Sequence, residues 1–587
     1  MQQIIQIYRY AKENIRTDRK SSLWTMGISA VLVAALTVLS AMPTEVRWSE
    51  ADVLLAEGMP FLCLSAAIVI FIGLWKHSRN ATWTDIAIFA WMLYYIGRVW
   101  LGAEYACSTD VLKTVCMFIL YFVSRCLFSQ GKMPQIGMLS AFLLLGIYEA
   151  GSGIWQMFFH TSRHYRYMIT GSFQNPGPYS ACLMTTAVIC LAWYREQSNK
   201  KIQQYILPLL LLPCVLLPAT MSRAAIVSGG IVAIWLYRQK LRNMSMAVKA
   251  LVAVGVVTAF ILLYFFKQGS ADGRLLTWAA SVSTWLHNVW SGVGIGGFHH
   301  ACAEGIARMY GENPRLVWFE SGGVTDYAFN DFLKILVEQG IVGALWCIAA
   351  VVTGMQNLYR QSRPMFYGTL SLLIFSMFSY PFELFPYRTA VVMLAAWSAS
   401  KGSQSPFKIN KYAASVFLLS LAVFSWFVRN ETRRRSKADM NMHFISGIYH
   451  QAFIKDYYEL LHTELDNTKF LFDFGKTLRE SERYNDSNAI LRQGTSISND
   501  PMFYILMGNN YRDMQQNDYA ETAYLKAFAI MPNRIYPLYQ LMMMYHDNGE
   551  TAKAKDAAQR IIRMKPKIRS RATDEMKEKA KVVADSK

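Results

Sequence analysis

Along the first 430 or so positions, runs of apolar residues alternate with short polar segments at a spacing that suits a chain crossing a bilayer many times. A spanning helix needs roughly 20 mostly apolar residues, and the pattern predicts thirteen such segments, at about 23–42, 59–75, 83–101, 109–128, 136–159, 176–194, 205–219, 223–237, 246–266, 333–355, 365–380, 387–400 and 411–428. The segments at 205–237 and 365–400 are short hairpins interrupted by proline or polar residues. The first run begins near Leu23 and has no small-residue cleavage site behind it, so it reads as a signal-anchor helix rather than a cleaved signal. Between the runs at 246–266 and 333–355 lies one long segment, 267–332, which reads as a large loop.

The pattern changes near residue 436. Over 468–566 a period close to 34 emerges: Tyr511 and Tyr545 are 34 apart, Pro532 and Pro566 likewise, and Gly475 and Gly508 are 33 apart. Leu541, Tyr545, Gly549, Ala554, Ala558 and Pro566 fall where a tetratricopeptide-like unit places packing residues, turn glycine and terminal proline. Gly508, Tyr511, Tyr519, Ala523, Ala527 and Pro532 repeat the scheme, and a degenerate unit precedes them from Phe470 to Pro501. Three units are about the minimum for a continuous stacked core. Coincidental amphipathic hairpins are the plainer alternative. The expected fold is therefore all-α: a polytopic membrane bundle over residues 1–436 and a TPR-like α-solenoid over 437–587. Such an array binds a protein or peptide partner, or packs on its own membrane domain.

Charge then orients the bundle. Of 587 residues 53% are hydrophobic and 17% charged, against about 25% charged in soluble domains. The tail is nearly balanced, with 22 Lys+Arg against 20 Asp+Glu, so nearly all of the +19 excess belongs to the first 436 residues. With the N-terminus inside, the inside segments carry 20 basic residues, among them Arg16, Lys76, Arg125, Lys200, Arg238, Arg360 and Lys411. The short outside loops carry five: Arg47, Arg163, Arg166, Arg223 and Arg388. That asymmetry puts the N-terminus in the cytoplasm, and it puts 267–332 and, with thirteen spans, the tail on the outer side. The cluster Arg433-Arg434-Arg435 after the last span argues the other way for the tail. Basic residues in short loops face anionic lipid, so the high pI does not point to nucleic acid. Seven of nine cysteines lie in or beside apolar runs as small hydrophobes; only Cys107 and Cys302 fall in outer segments. No CxxC or HExxH spacing argues for a metal.

Four polar clusters sit on the outer face, where polar groups in a lipid-embedded domain are costly. They are Thr170-Gly171-Ser172-Phe173-Gln174-Asn175-Pro176; Thr220-Met221-Ser222-Arg223-Ala224; Asp272-Gly273-Arg274 with Trp278 and the run Gly292-Val293-Gly294-Ile295-Gly296-Gly297-Phe298; and Phe329-Asn330-Asp331-Phe332-Leu333 leading to Glu338-Gln339-Gly340. Each has a bland reading. Arg223 could snorkel to headgroups, Trp278 could anchor the interface, Asn330 could cap a helix, and Asp331 could be a first-turn carboxylate favoured by the dipole. The glycine run lacks the strand–loop–helix context of a nucleotide site.

In order, these elements resemble the O-antigen ligase/polymerase family of bacterial membrane glycosyltransferases, which includes protein O-oligosaccharyltransferases. The resemblance covers roughly 165–350 through GSFxNP, TxSR, the GR-plus-tryptophan start of the outer segment, GVGxGxF and NDFLxxxxExG. It implies an inner-membrane enzyme that moves an oligo- or polysaccharide from a polyprenyl-diphosphate carrier to an acceptor hydroxyl on lipid, glycan or protein. The transfer would occur on the periplasmic face, without a metal or nucleotide cofactor. Arg223 and Arg274 match the family's motif arginines and would hold the diphosphate, with Asn330 and Asp331 completing the catalytic set. Arg166, Asn175, Trp278, His299 and Arg388 are the substrate-binding candidates. The sequence departs from the family at Phe329, where ligases commonly carry histidine before the asparagine.

Two other functions remain open. A transporter or flippase for polysaccharide or lipid-linked sugar predicts internal repeats and broken helices about a midplane site, whereas the polar clusters here lie on one face. A membrane-tethered scaffold predicts that Arg223 and Arg274 are dispensable.

Overall fold

The computed structural model describes residues 50–586 except 70–78, 102–107, 131–134, 163, 165–166, 267, 324, 326, 401–406, 499 and 566–568. The expected anchor helix at 23–42, together with Cys107, Arg163 and Arg166, lies outside the described residues.

From residue 50 onward each expected span overlaps a helix over its described residues, although the one expected at 365–380 ends at Ser376 and 70–75 of the one at 59–75 lie outside the described residues. In order these are α1 (Glu50–Val69), α2 (Trp83–Leu101), α3 (Ser108–Gln130), α4 (Gln135–Phe159), α5 (Pro176–Glu196), α6 (Lys200–Leu216), α7 (Arg223–Leu236) and α8 (Met246–Phe266). The outer segment is itself largely helical, with α9 (Gln268–Trp285), α10 (Phe298–Glu312) and the single turn α11 (Trp318–Ser321). Then follow α12 (Asp331–Gln361), α13 (Arg363–Ser376), α14 (Phe385–Ser400) and α15 (Lys411–Ile445). Among the described residues three stretches, Lys200–Thr220, Asp331–Gln361 and Tyr412–Ile445, are long and apolar enough to cross a membrane. Among the described residues the protein is all-α apart from two three-residue strands, β1 (Arg79–Ala81) and β2 (Phe407–Ile409), paired antiparallel.

The described chain forms two compact units. One gathers the residues up to Tyr94 with Leu112–Lys249 and Leu345–Arg433; the other gathers Tyr95–Val111, Ala250–Ala344 and Arg434–Lys587. In the first, α5 is central and packs against α4, α6, α7 and α13. Its start is written locally: Asn175 caps, its Oδ1 accepting from Gly177 N at 2.9 Å, and Pro176 occupies the first helical position, where a missing N–H costs nothing. Small neighbours let the helices approach. A Cβ on Gly146 of α4 would fall 2.2 Å from Thr186, and one on Gly368 of α13 would fall 2.4 Å from Ile189. Asp85, capping α2, takes Tyr121 Oη at 2.7 Å and Arg125 Nε at 3.1 Å from α3, so its buried charge is paired.

In the second unit α9, α10 and α11 close a small core of Leu276, Ala280, Phe298, Ala301, Ile306 and Phe319. Cys302 lies inside it as a free thiol, and burial pushes its pKa up to about 12. The tail follows as consecutive antiparallel helices: α16 (Ile454–Glu464), α17 (Thr468–Glu480), α18 (Tyr484–Ile497), α19 (Met502–Asp513), α20 (Asn517–Ile530), α21 (Ile535–Asp547), α22 (Thr551–Arg563) and α23 (Arg571–Asp585). From α17 to α23 each packs on the next. The periodic glycines sit where paired helices meet: a Cβ on Gly475 would lie 2.5 Å from Leu491, and one on Gly508 2.6 Å from Tyr524.

Candidate functional site

In the first unit, the GSFQNP segment is a 3-10 turn, Gly171–Phe173, held from beneath by α4. Gln156 Oε1 accepts from Thr170 N at 2.8 Å and from Gly171 N at 2.9 Å, and its Nε2 donates to Gly171 O at 2.8 Å. Glu149, fully buried one helical repeat earlier, accepts from Ser172 N at 3.1 Å and from Ser172 Oγ at 2.5 Å. Gly171 has φ +57, and a Cβ there would sit 2.3 Å from Tyr179 and 2.4 Å from Glu149 Oε2, so no other residue fits. Asn175, besides capping α5, donates its Nδ2 to Tyr380 Oη at 3.1 Å. Tyr387 donates to Pro178 O at 2.6 Å and stacks on Phe173 with centroids 5.6 Å apart. Arg388, the next residue, donates Nη2 to Glu383 O at 2.6 Å. The turns around Asn175 and Arg388 therefore face each other across Tyr380 and Tyr387.

The TMSRA segment also builds itself locally. Thr220 ends a 3-10 turn, Met221 adopts φ +51, and Ser222 caps α7 with Oγ accepting from Ala225 N at 3.4 Å. Arg223 is thereby fixed as the first residue of α7, half-buried. A cation there lies at the positive end of the helix dipole, which by itself disfavours it by about 0.3–1 kcal/mol.

In the second unit, Arg274 on α9 lies over the ring of Phe329, its Cζ 4.9 Å from the centroid. Phe329 holds φ +51, uncommon for a bulky residue. Three bonds fix it there. Trp278 Nε1 donates to Ala328 O at 3.0 Å, and Asn330 caps α12, its Oδ1 accepting from Leu333 N at 3.0 Å and its carbonyl from Lys334 N at 3.1 Å. Asp331 follows, buried in the first turn. Asp272, one residue before Gly273, accepts from Tyr264 Oη at 2.8 Å. His299 lies half-buried on α10 beside the Phe298 ring, while His300 donates Nδ1 to Thr495 O of the tail at 2.9 Å.

The glycine run is a backbone joint. Val293 N and Gly294 N donate to Val337 O and Glu338 O at 2.9 and 3.1 Å, and Ile341 N and Val342 N return bonds to Val289 O and Trp290 O. Gly340 breaks α12 with φ +64 and ψ −169. A Cβ on Gly292 would fall 2.5 Å from Val337 O, and one on Gly340 2.3 Å from Trp290 O. The close approach of two backbones, not a phosphate, explains the glycines. Arg98 of α2 donates to Gly292 O at 3.4 Å.

Residues 208–348 match the family model described as O-antigen ligase. The chain carries an O-antigen ligase domain. It is a membrane protein. The O-antigen ligase domain contains Arg223, Arg274, Trp278, His299, Asn330 and Asp331, and Asn175, Arg166 and Arg388 lie beyond its ends. No curated protein matches the chain.

The structure groups the sequence-derived candidates unevenly. Arg274, Trp278, Asn330 and Asp331 converge on Phe329, whereas His299 sits on another helix of the same unit. Asn175 and Arg388 share a face of the first unit. Sequence reading passed over Glu149, Gln156, Tyr380 and Arg98. The available signal was polar side chains inside apolar runs, and Glu149 and Gln156, seven residues apart, share one face of α4.

Proposed function

We propose that this protein transfers a glycan from a polyprenyl-diphosphate carrier to an acceptor hydroxyl on the periplasmic face of the bacterial inner membrane. An O-antigen ligase domain supports a membrane glycosyltransferase of the ligase type. The observation that carries the finer reading is the Arg274 guanidinium over the Phe329 ring, its Cζ 4.9 Å from the centroid, inside that domain and beside the capped start of α12. When the glycosidic carbon–oxygen bond breaks, the diphosphate takes the electron pair, and charge concentrates on its oxygens. A guanidinium never deprotonates at working pH and offers a planar fork to two phosphate oxygens. The contact with the ring positions it before the donor arrives, so little reorganisation is needed as charge develops. Arg223 is assigned the same kind of role by the resemblance of its TxSR motif alone. We assign Asp331 to receiving or orienting the acceptor proton and Asn330 to holding the turn that presents it. Asn175, His299, Trp278, Arg388 and Arg166 are assigned to binding donor and acceptor on the resemblance of their motifs alone. The tail is read as a tetratricopeptide-like array on the same side of the membrane as the outer segment.

The test reconstitutes the full chain in lipid with a defined polyprenyl-diphosphate glycan and separate lipid, glycan and protein acceptors. Transfer that persists with chelator and is lost in Arg223→Ala and Arg274→Ala supports the reading. Carrier movement across the bilayer without bond cleavage overturns it in favour of a transporter.

A further inference from the structure

The tail does not hang beside the outer segment; the two share one unit and one packed boundary. Tyr310 of α10 belongs to both cores, packing under Phe319 (centroids 5.4 Å) on its own side and against Phe528 of α20 (5.5 Å) on the tail side. Arg560 of α22 lies over Phe528 at 5.4 Å and donates to Tyr310 Oη at 3.5 Å. Lys526 pairs with Glu304 at 2.7 Å, and His300 bonds Thr495 O.

At the edge of this boundary stands a more specific contact. Asn533, buried in the turn between α20 and α21, donates its Nδ2 to the carbonyls of Glu320 and Gly322, where α11 ends. Those residues back directly onto α9. A Cβ on Gly322 would fall 2.2 Å from Leu276, and one on Gly273 would lie 3.4 Å from Ser321 O. Arg274 is the residue next to Gly273. Farther along the sequence, Trp278 and the Asn330 cap hold Ala328 and Phe329. The end of α11 is thus held between the tail and α9, close to Arg274. A bulky residue at positive φ persists only where its surroundings over-determine it.

We propose that the tail braces the arginine-bearing segment, with Asn533 as a positioning residue that holds the end of α11 against α9 beside Gly273 and so fixes the position of Arg274. Asn533 touches no reacting group. Its contribution is geometric, and small displacements of a charge-stabilising group cost rate rather than binding. The proposal rests on the glycan-transfer reading for its kinetic consequence, but its structural part is testable without it.

The experiment compares the full-length protein with Asn533→Ala, and separately with Lys526→Glu, Glu304→Lys and the double swap, in lipid. Hydrogen exchange is read over 318–333, and kcat and KM are read for transfer. Faster exchange over 318–333 in Asn533→Ala, with 276–285 unchanged, is expected, together with a kcat lowered about tenfold at a donor KM within about twofold. Each single charge change is expected to speed exchange in the same peptides, and the double swap to reverse it. Equal exchange in wild type and Asn533→Ala overturns the brace whatever the activity. Faster exchange with unchanged kcat overturns the positioning role. Faster exchange in a protein whose wild type transfers nothing supports the brace and sinks the transfer reading instead.

Discussion

Arg223 and Arg274 carry the same guanidinium in opposite surroundings. Arg223 opens α7, and the turn that delivers it, from Thr220 through the Ser222 cap, is local in sequence. Arg274 stands within α9, and what it lies over is Phe329, 55 residues away, whose backbone is flanked by the Trp278 bond and the Asn330 cap. The first arginine is presented by short-range capping and opposed by a dipole; the second is held by long-range packing against an aromatic face. At Phe329, where the resemblance leads one to expect a histidine, the arginine therefore still has a defined partner. The phenyl ring offers no proton acceptor, so its contribution is orientation.

That contrast can be broken most directly at the arginines. Arg274→Ala and Arg223→Ala are each expected to reduce transfer about 10²–10³-fold, the range for removing one preorganised charge-stabilising donor. Arg274→Lys is expected to stay near the alanine level, because a lysine has no plane to stack, whereas Arg223→Lys retains part of the activity. Equal rates for the two lysine variants would erase the distinction.

Backbone strain gives the next largest effect. Gly171→Ala and Gly340→Ala each place a Cβ at positive φ within 2.4 Å of neighbouring atoms. Each is expected to destabilise its unit by about 2–4 kcal/mol, combining strain and overlap, read as a lower thermal midpoint in detergent. A midpoint unchanged in Gly340→Ala would show that the joint between the glycine run and α12 is not a tight one.

Glu149→Ala removes the acceptor for both Ser172 donors and is expected to cost about 1.5–3 kcal/mol. Glu149→Gln keeps one carbonyl oxygen and costs less, so equal losses would mean that the carboxylate acts by charge rather than by these two bonds.

The smallest effect tests the pairing with which the comparison began. Phe329→Leu keeps an apolar side chain but loses the ring, worth about 1 kcal/mol at a partly exposed site, or roughly a fivefold lower kcat. Phe329→Leu at wild-type rate would mean that stacking does not orient Arg274.

How much of this was legible can be read from particular residues. Asn175-Pro176, Ser222-Arg223 and Asn330-Asp331 name their own helix starts, because capping acts over two or three residues. The 34-residue spacing of Tyr511 and Tyr545 announced repeating helix pairs. Glu149 beneath Ser172 and Asn533 beneath Gly322 were not legible, since their partners lie 23 and 211 residues away and nothing local marks the pairing.

The sequence by itself determined where most of the helices run, that the chain up to about residue 430 is rich in apolar runs, and that Arg223 opens a helix. These follow from hydrophobic period, length and caps, which are short-range. Only the tertiary structure decided that the glycine run joins the broken α12, that Phe329 lies under Arg274, and that the tail is built into the outer segment through Tyr310 and Asn533. Those contacts depend on shape matching between segments far apart in the chain, which residue pattern alone does not encode in readable form.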